Sequence, residues 1–225
     1  MPEYVVKSTG DAPELRADWQ DPVWKPAMIG EVKNVWPHDG NLDFIPQVRF
    51  RLLYDETALH GIFEVCDHYV KAVHTGFQDN VCQDSCAEFF FAPTPGGYFN
   101  LEMNAGANFL IYYVRDCTRS GDAFRDYSVL TREDCAQISV VSDQPRIIDP
   151  EITSPTTWHV QFRLPRTLIE KYSGAQGPWW GQRWHGNFYK CADKTSHPHW
   201  IAWNAVTELN FHLPSCFGDI VLAAN

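Results

Sequence analysis

The chain has 225 residues and a formal net charge of −10, with 18 Lys and Arg against 28 Asp and Glu. That balance argues against nucleic acid and against an anionic membrane surface as partners, since both need clustered cations. Hydrophobic residues make up 44% of the chain, enough for a core and too many for disorder, and no apolar run approaches the roughly 18 residues of a membrane span.

Period-2 alternation, not helical periodicity, runs along the chain. Val48-Arg49-Phe50-Arg51-Leu52 alternates cleanly, and residues 62–66 and 87–91 read as strands. Pro93-Thr94-Pro95-Gly96-Gly97 makes a turn between the second of these and a strand over 98–104, and 108–114 follows as another. The polar stretch 116–134 reads as a long loop with a helical turn, a length of loop that is often functional. Strands are expected at 137–142 and 158–164. Pro165 as a first-turn residue and Ser173-Gly174 as a stop predict a short helix over 166–172. Strands at 187–191 and 218–222 complete the set. Many short strands and few helices predict an all-β sandwich or barrel with one or two short helices, forming a single domain over residues 1–225.

The seven cysteines (66, 82, 86, 117, 135, 191 and 216) leave at least one thiol without an intrachain partner. The start lacks a basic region followed by an apolar one, which favours a cytoplasmic protein with reduced thiols over a trimmed secreted form.

Three stretches suggest chemistry. In a strand over Tyr98-Phe99-Asn100-Leu101-Glu102-Met103-Asn104, parity sends Phe99, Leu101 and Met103 to the core. It places Tyr98, Asn100, Glu102 and Asn104 together on the other face. A row of amides and a carboxylate matches the paired donors and acceptors of sugar hydroxyls, and a plain solvated face would look the same. In Asp84-Ser85-Cys86-Ala87-Glu88, Glu88 falls among aromatics, where a carboxylate is either near a ligand or paired with an Arg such as Arg49 or Arg51. The third stretch is aromatic: five of the nine Trp stand at 179, 180, 184, 200 and 203. An indole can stack on a sugar ring or fill the core. His199 lies beside these Trp as a rim contributor.

Metal readings are thinner. Cys66 and His68, Cys82 and Cys86, Cys191, and His197 with His199 could assemble a zinc site, without the paired C-x2-C spacing of a zinc ribbon. Calcium suits an acidic β-domain, although no EF-hand loop is present. Nothing resembles a G-x-S-x-G nucleophile. Glu88 and Glu102 on neighbouring strands supply the enzyme alternative, an acid/base pair cleaving glycosides.

Together these pieces resemble the family 9-like carbohydrate-binding modules and, more distantly, DOMON domains. The similarity runs from Asp21-Pro22-Val23-Trp24 through Leu52-Leu53-Tyr54-Asp55 and Leu59-His60-Gly61-Ile62-Phe63 to Asp84-Ser85-Cys86-Ala87-Glu88-Phe89-Phe90, which is similar to a D-S-x-x-E motif. It continues through 98–104, 158–165 and Gly186-Asn187-Phe188-Tyr189 to Asn210-Phe211-His212-Leu213-Pro214. The resemblance implies an immunoglobulin-like or DOMON-like β-sandwich that binds oligosaccharide or polysaccharide without chemistry, between two Trp and with polar side chains and calcium assisting. Carried over, Glu88 matches the motif's Glu, and Asn100, Glu102 and Asn104 match its polar strand. Trp203, or less closely Trp200, matches the late stacking Trp. The early Trp should fall just before Asp84, where this chain has Val81-Cys82-Gln83, with Phe77 or Tyr69 as substitutes. A DOMON-like alternative would hold haem through Met103 and a His.

Overall fold

The computed structural model describes residues 2–36 and 44–223. Its strands are β1 (Glu3–Ser8), β2 (Gly30–Val32), β3 (Asn34–Val35), β4 (Gln47–Tyr54), β5 (Ala58–Asp67), β6 (Val70–Ala72), β7 (Cys86–Thr94) and β8 (Gly97–Asn104). Then come β9 (Phe109–Ser120), β10 (Ala123–Val129), helix α1 (Arg132–Cys135), β11 (Ser139–Ser142), β12 (Ile148–Ile152) and β13 (Thr156–Pro165). Helix α2 (Arg166–Ser173), β14 (Arg183–Cys191), β15 (Trp200–Ala202) and β16 (Gly218–Leu222) finish the chain.

The strands form a sandwich. One layer runs β10-β9-β8-β7-β14-β16 and the other β4-β5-β13-β11, with β2 on the edge of β4. β1 joins the two: residues 3–6 pair in parallel with β16, and Lys7 and Ser8 pair with Leu53 and Tyr54 of β4. The alternation read in the sequence sets which side chains meet. Phe50, Leu52, Trp158, Val160 and Phe162 face inward from the second layer; Ala87, Phe89, Phe91, Phe99, Leu101, Met103 and Phe188 face them from the first. The seam is aromatic. Phe50 and Phe188 stack at 3.5 Å between centroids, and Phe89 stacks on both Phe188 at 4.5 Å and Phe162 at 6.1 Å. Each such ring, fully buried, stabilises the sandwich by about 1.5–3 kcal/mol. Gly61 is required by this packing: a Cβ there would come within 2.2 Å of the Phe162 ring.

The stretch 116–134 is not a loop. β9 continues to Ser120 and folds back as β10, with Gly121 at φ 66° in the turn and only α1 after it. Most of its polar residues are exposed on a two-stranded ribbon, and Cys117, Phe124 and Tyr127 pack against the apolar cluster beside it, too sparse a set to signal a strand. The helix over 166–173 is as expected, with Pro165 one position earlier, at the N-cap, and Gly174 closing it in the left-handed conformation.

Candidate functional site

Asp84 and Ser85 hold the start of β7 in place. Asp84 accepts hydrogen bonds from the backbone of Val73 and His74 and from Asn104 Nδ2, each at 2.9 Å, and the Ser85 hydroxyl donates to Tyr69 O at 3.0 Å. With that end fixed, strand parity projects Cys86, Glu88 and Phe90 from the face opposite the core. In register beside them stand Tyr189 and Cys191 of β14 on one side and Glu102 of β8 on the other.

This outer face is largely roofed. The chain after β15 crosses it: Phe211 stacks on Tyr189 at 4.0 Å, and the His212 ring sits 4.9 Å from Phe90 and 4.5 Å from Phe124 of the ribbon. Tyr98 OH and His212 Nδ1 are 2.8 Å apart, and Tyr189 OH donates to Phe211 O at 3.0 Å. The roof leaves a cavity of about 230 Å³ bounded by Cys82, Glu88, Glu102, Arg119, Cys191, Asp193, Trp200 and residues 209–212. That is just below the roughly 300 Å³ lower end of ordinary small-ligand pockets. Trp200 forms one wall. Its indole Nε1 donates to Asp193 Oδ1 at 2.7 Å, and Asp193 N is tied to Cys82 O at 3.1 Å, so the ring has a fixed orientation.

The two carboxyls are 2% and 6% exposed. Burial, then the neighbouring Glu102 charge, pushes Glu88 well above the usual carboxylate range, and burial lifts Glu102 to about 7. A buried acid in its neutral form donates as well as accepts, so the pair suits hydroxyl groups. Burial also raises Asp193 and, together with the charge of Arg119, lowers His212 to about 3. His212 is therefore a neutral wall at ordinary pH.

The structure brings together only part of the residue set read from the sequence. Glu88 and Glu102 border the cavity. Asn100 lies beneath it, donating to Glu102 Oε1 at 3.0 Å and accepting from Tyr112 N at 2.8 Å, which positions Glu102. Asn104 has another task. Its oxygen accepts from Gly106 N and Asn108 N and its amide donates to His74 O and Asp84, so it closes the β8–β9 turn. His199 is 2% exposed and accepts from Lys190 Nζ at 2.8 Å, away from the cavity. Trp203 is displaced too: it packs edge-on against Tyr4, Phe50 and Phe188 at 6.5, 6.2 and 5.7 Å. The cause is local. Trp203 follows the last residue of β15 and donates its backbone N–H to Phe188 O, which turns its ring into the core while Trp200 keeps the cavity side.

The substitutes for the early Trp do not fill its place. Phe77 lies under the Arg132 guanidinium at 4.2 Å and Tyr69 stacks on His197, whereas Cys82 borders the cavity where the ring was expected. Met103 faces the core between the sheets, which removes the haem arrangement suggested for it. Neither Arg49 nor Arg51 reaches Glu88; both belong to the other sheet, on Glu64 and on Trp19. Phe211 and His212 entered the sequence reading only through the similarity at 210–214, without a site role, and Asp193 carried no signal of its own. The polar stretch 116–134 was the one hint of Arg119.

The sequence model of carbohydrate-binding family 9 matches residues 26–222. The chain belongs to carbohydrate-binding family 9. The structure of this family 9 chain is similar to that of a Bacteroides uniformis protein described as a candidate carbohydrate-binding protein, at TM-score 0.82 and 23% identity over 98% of each chain. It is also similar to a family 9 module from Caldicellulosiruptor kristjanssonii in complex with cellotriose, at TM-score 0.65 and 13% identity over 100% of this chain and 95% of that one. The same organism's module in complex with glucose gives TM-score 0.62 and 15% identity over 100% and 97%. At these identities the likeness establishes the sandwich fold. No curated protein matches the sequence. For a family 9 chain calcium is also implied. The donors that converge below this cavity are two thiols and a carboxyl. A hard cation that takes six to eight oxygens does not match that set.

Proposed function

We propose that this protein binds the terminal sugar of an oligosaccharide or polysaccharide in the cavity beside Trp200, without breaking a bond. The observation that carries this reading is the shared border: one indole wall and two carboxyls that form no ion pair among the described residues meet in a single cavity of about 230 Å³. Trp200 would stack on the apolar face of a pyranose, while Glu88, Glu102 and Arg119 would exchange hydrogen bonds with its hydroxyls. The cavity's size suits a chain end rather than a threaded chain. The ligands of the Caldicellulosiruptor modules, glucose and cellotriose, are the first to test. Each net hydrogen bond contributes about 1 kcal/mol and association costs several, so affinity is modest.

Glycosidase chemistry is disfavoured by register. Glu88 and Glu102 are direct cross-strand partners on one sheet face, so both approach a ligand from the same side. Acid and base in a glycosidase flank the scissile bond. Calorimetric titration with glucose, xylose and cellotriose tests the reading. Trp200→Ala is expected to weaken binding at least tenfold. Unchanged binding by the folded variant, or turnover of a glycoside panel that Glu102→Gln abolishes, would overturn it.

A further inference from the structure

Beside Glu88, at the edge of the cavity, stand two thiols that sugar binding does not call for. Cys86 and Cys191 are register partners across β7 and β14, and Glu88 is the next residue of β7 on the same face. One donor atom from each, the two Sγ and a carboxyl oxygen, lie within 4.8 Å of one another, and all three residues are buried. Cys191 Sγ is 2.9 Å from Glu88 Oε1 and donates its proton there. A tetrahedral zinc ion with bonds of about 2.3 Å to sulfur and about 2.0–2.2 Å to oxygen keeps its ligands roughly 3.5–3.8 Å apart. The three donors therefore need shifts of less than about an ångström to enclose one.

We propose that Cys86, Glu88 and Cys191 form a three-ligand site for a thiophilic divalent cation of the zinc type, with its fourth position turned to the cavity. Two thiolates select such a cation over magnesium or calcium. Two paired strands of one sheet hold the ligands, so the geometry exists before the ion arrives. Glu88 and Cys191 both border the cavity, which gives the ion an entry path and lets water or a sugar hydroxyl complete its shell. Binding exchanges the thiol protons for the cation: the Cys191 proton now shared with Glu88 leaves, and the metal takes its place. The proposal is independent of the glycan reading, because no sugar is needed to load the site.

The test uses the full chain, reduced, stripped with chelator and kept anaerobic. Titration with Co²⁺ alone is expected to give one ion per chain, with a sulfur-to-metal charge-transfer band and tetrahedral visible bands, both abolished by one equivalent of Zn²⁺. Cys86→Ser and Cys191→Ser should each weaken Zn²⁺ binding at least tenfold, whereas Cys66→Ser and Cys117→Ser should not. Should the first two variants fail to fold, the wild-type protein still decides. One equivalent of Zn²⁺ must then protect Cys86 and Cys191 from alkylation, with the other thiols unprotected. A stoichiometric titration without a thiolate band, protection that falls on other cysteines, or a Cys86–Cys191 disulfide in protein isolated without reductant would overturn the proposal.

Discussion

Two outward faces of the sandwich carry buried glutamates and treat them in opposite ways. On the second layer, Glu64 accepts from Arg49 Nε at 2.9 Å and stands 3.3 Å from His159 Nε2, while His159 Nδ1 is 2.7 Å from Asp143. Trp19 completes this face under Arg51 and Arg49, at 4.2 and 5.4 Å. Glu64 and Asp143 there each have a cationic or imidazole partner, and Arg51 rests on the Trp19 carbonyl and ring. On the first layer, Glu88 and Glu102 face a thiol, an amide and each other, and among the described residues neither forms an ion pair. Glu64 and Glu102 are equally buried, at 7% and 6%. Burial by itself therefore does not mark a site; burial without a direct ion pair, beside a cavity, does. A paired carboxylate holds structure together, and an unpaired one keeps its hydrogen-bonding capacity for a ligand.

The indoles should separate the faces most strongly. Trp19→Ala is expected to cost about 3 kcal/mol or more of stability, as large-to-small core changes do, and to leave glycan affinity of the folded protein unchanged. Trp200→Ala should do the reverse, and denaturant melts alongside calorimetry read both. Equal losses of affinity would break the comparison. Next come the carboxyls. Glu64→Gln breaks the contacts to Arg49 and His159 and should cost about 2 kcal/mol, less than a fully buried pair because Arg49 is partly exposed. Glu102→Gln loses no cation, so its melting temperature should hold or rise while glycan binding weakens severalfold.

Histidines give the smallest and most specific contrast. The carboxylates of Asp143 and Glu64 outweigh burial and hold His159 above its ordinary value of 6.5. Its contribution is complete below the unfolded value and is lost as pH rises through the folded one. His212 is lowered to about 3 from 6.5, so below pH 6.5 the unfolded chain takes a proton that the folded chain refuses, and stability falls as pH falls. At about 1.4 kcal/mol per pH unit, His212 should cost up to about 2 kcal/mol between pH 6.5 and 5. His212→Asn should flatten that acid limb and His159→Gln the shallower alkaline one. Urea melts across pH that show no such split would sink the assignment of opposite roles.

Alternation made most strands legible, along with the inward set Phe99, Leu101 and Met103, and the D-S-x-x-E motif pointed to Glu88. Residues whose role depends on a distant partner were not legible. Asn104 looked like another member of the polar row at 98–104, yet its bonds run to Asp84 and His74, which adjoin it only after folding. Trp200 and Trp203 differ by three positions in one aromatic stretch, and only the end of β15 decides which ring meets the cavity.

The sequence by itself determined the side of each strand that faces the core, because neighbouring side chains of an extended chain must point opposite ways. Only the tertiary structure decided which of the outward residues stayed available. The segment after β15 and the ribbon of β9 and β10 come to lie over that face from far along the chain, and pairwise packing of this kind leaves no periodic trace in either partner.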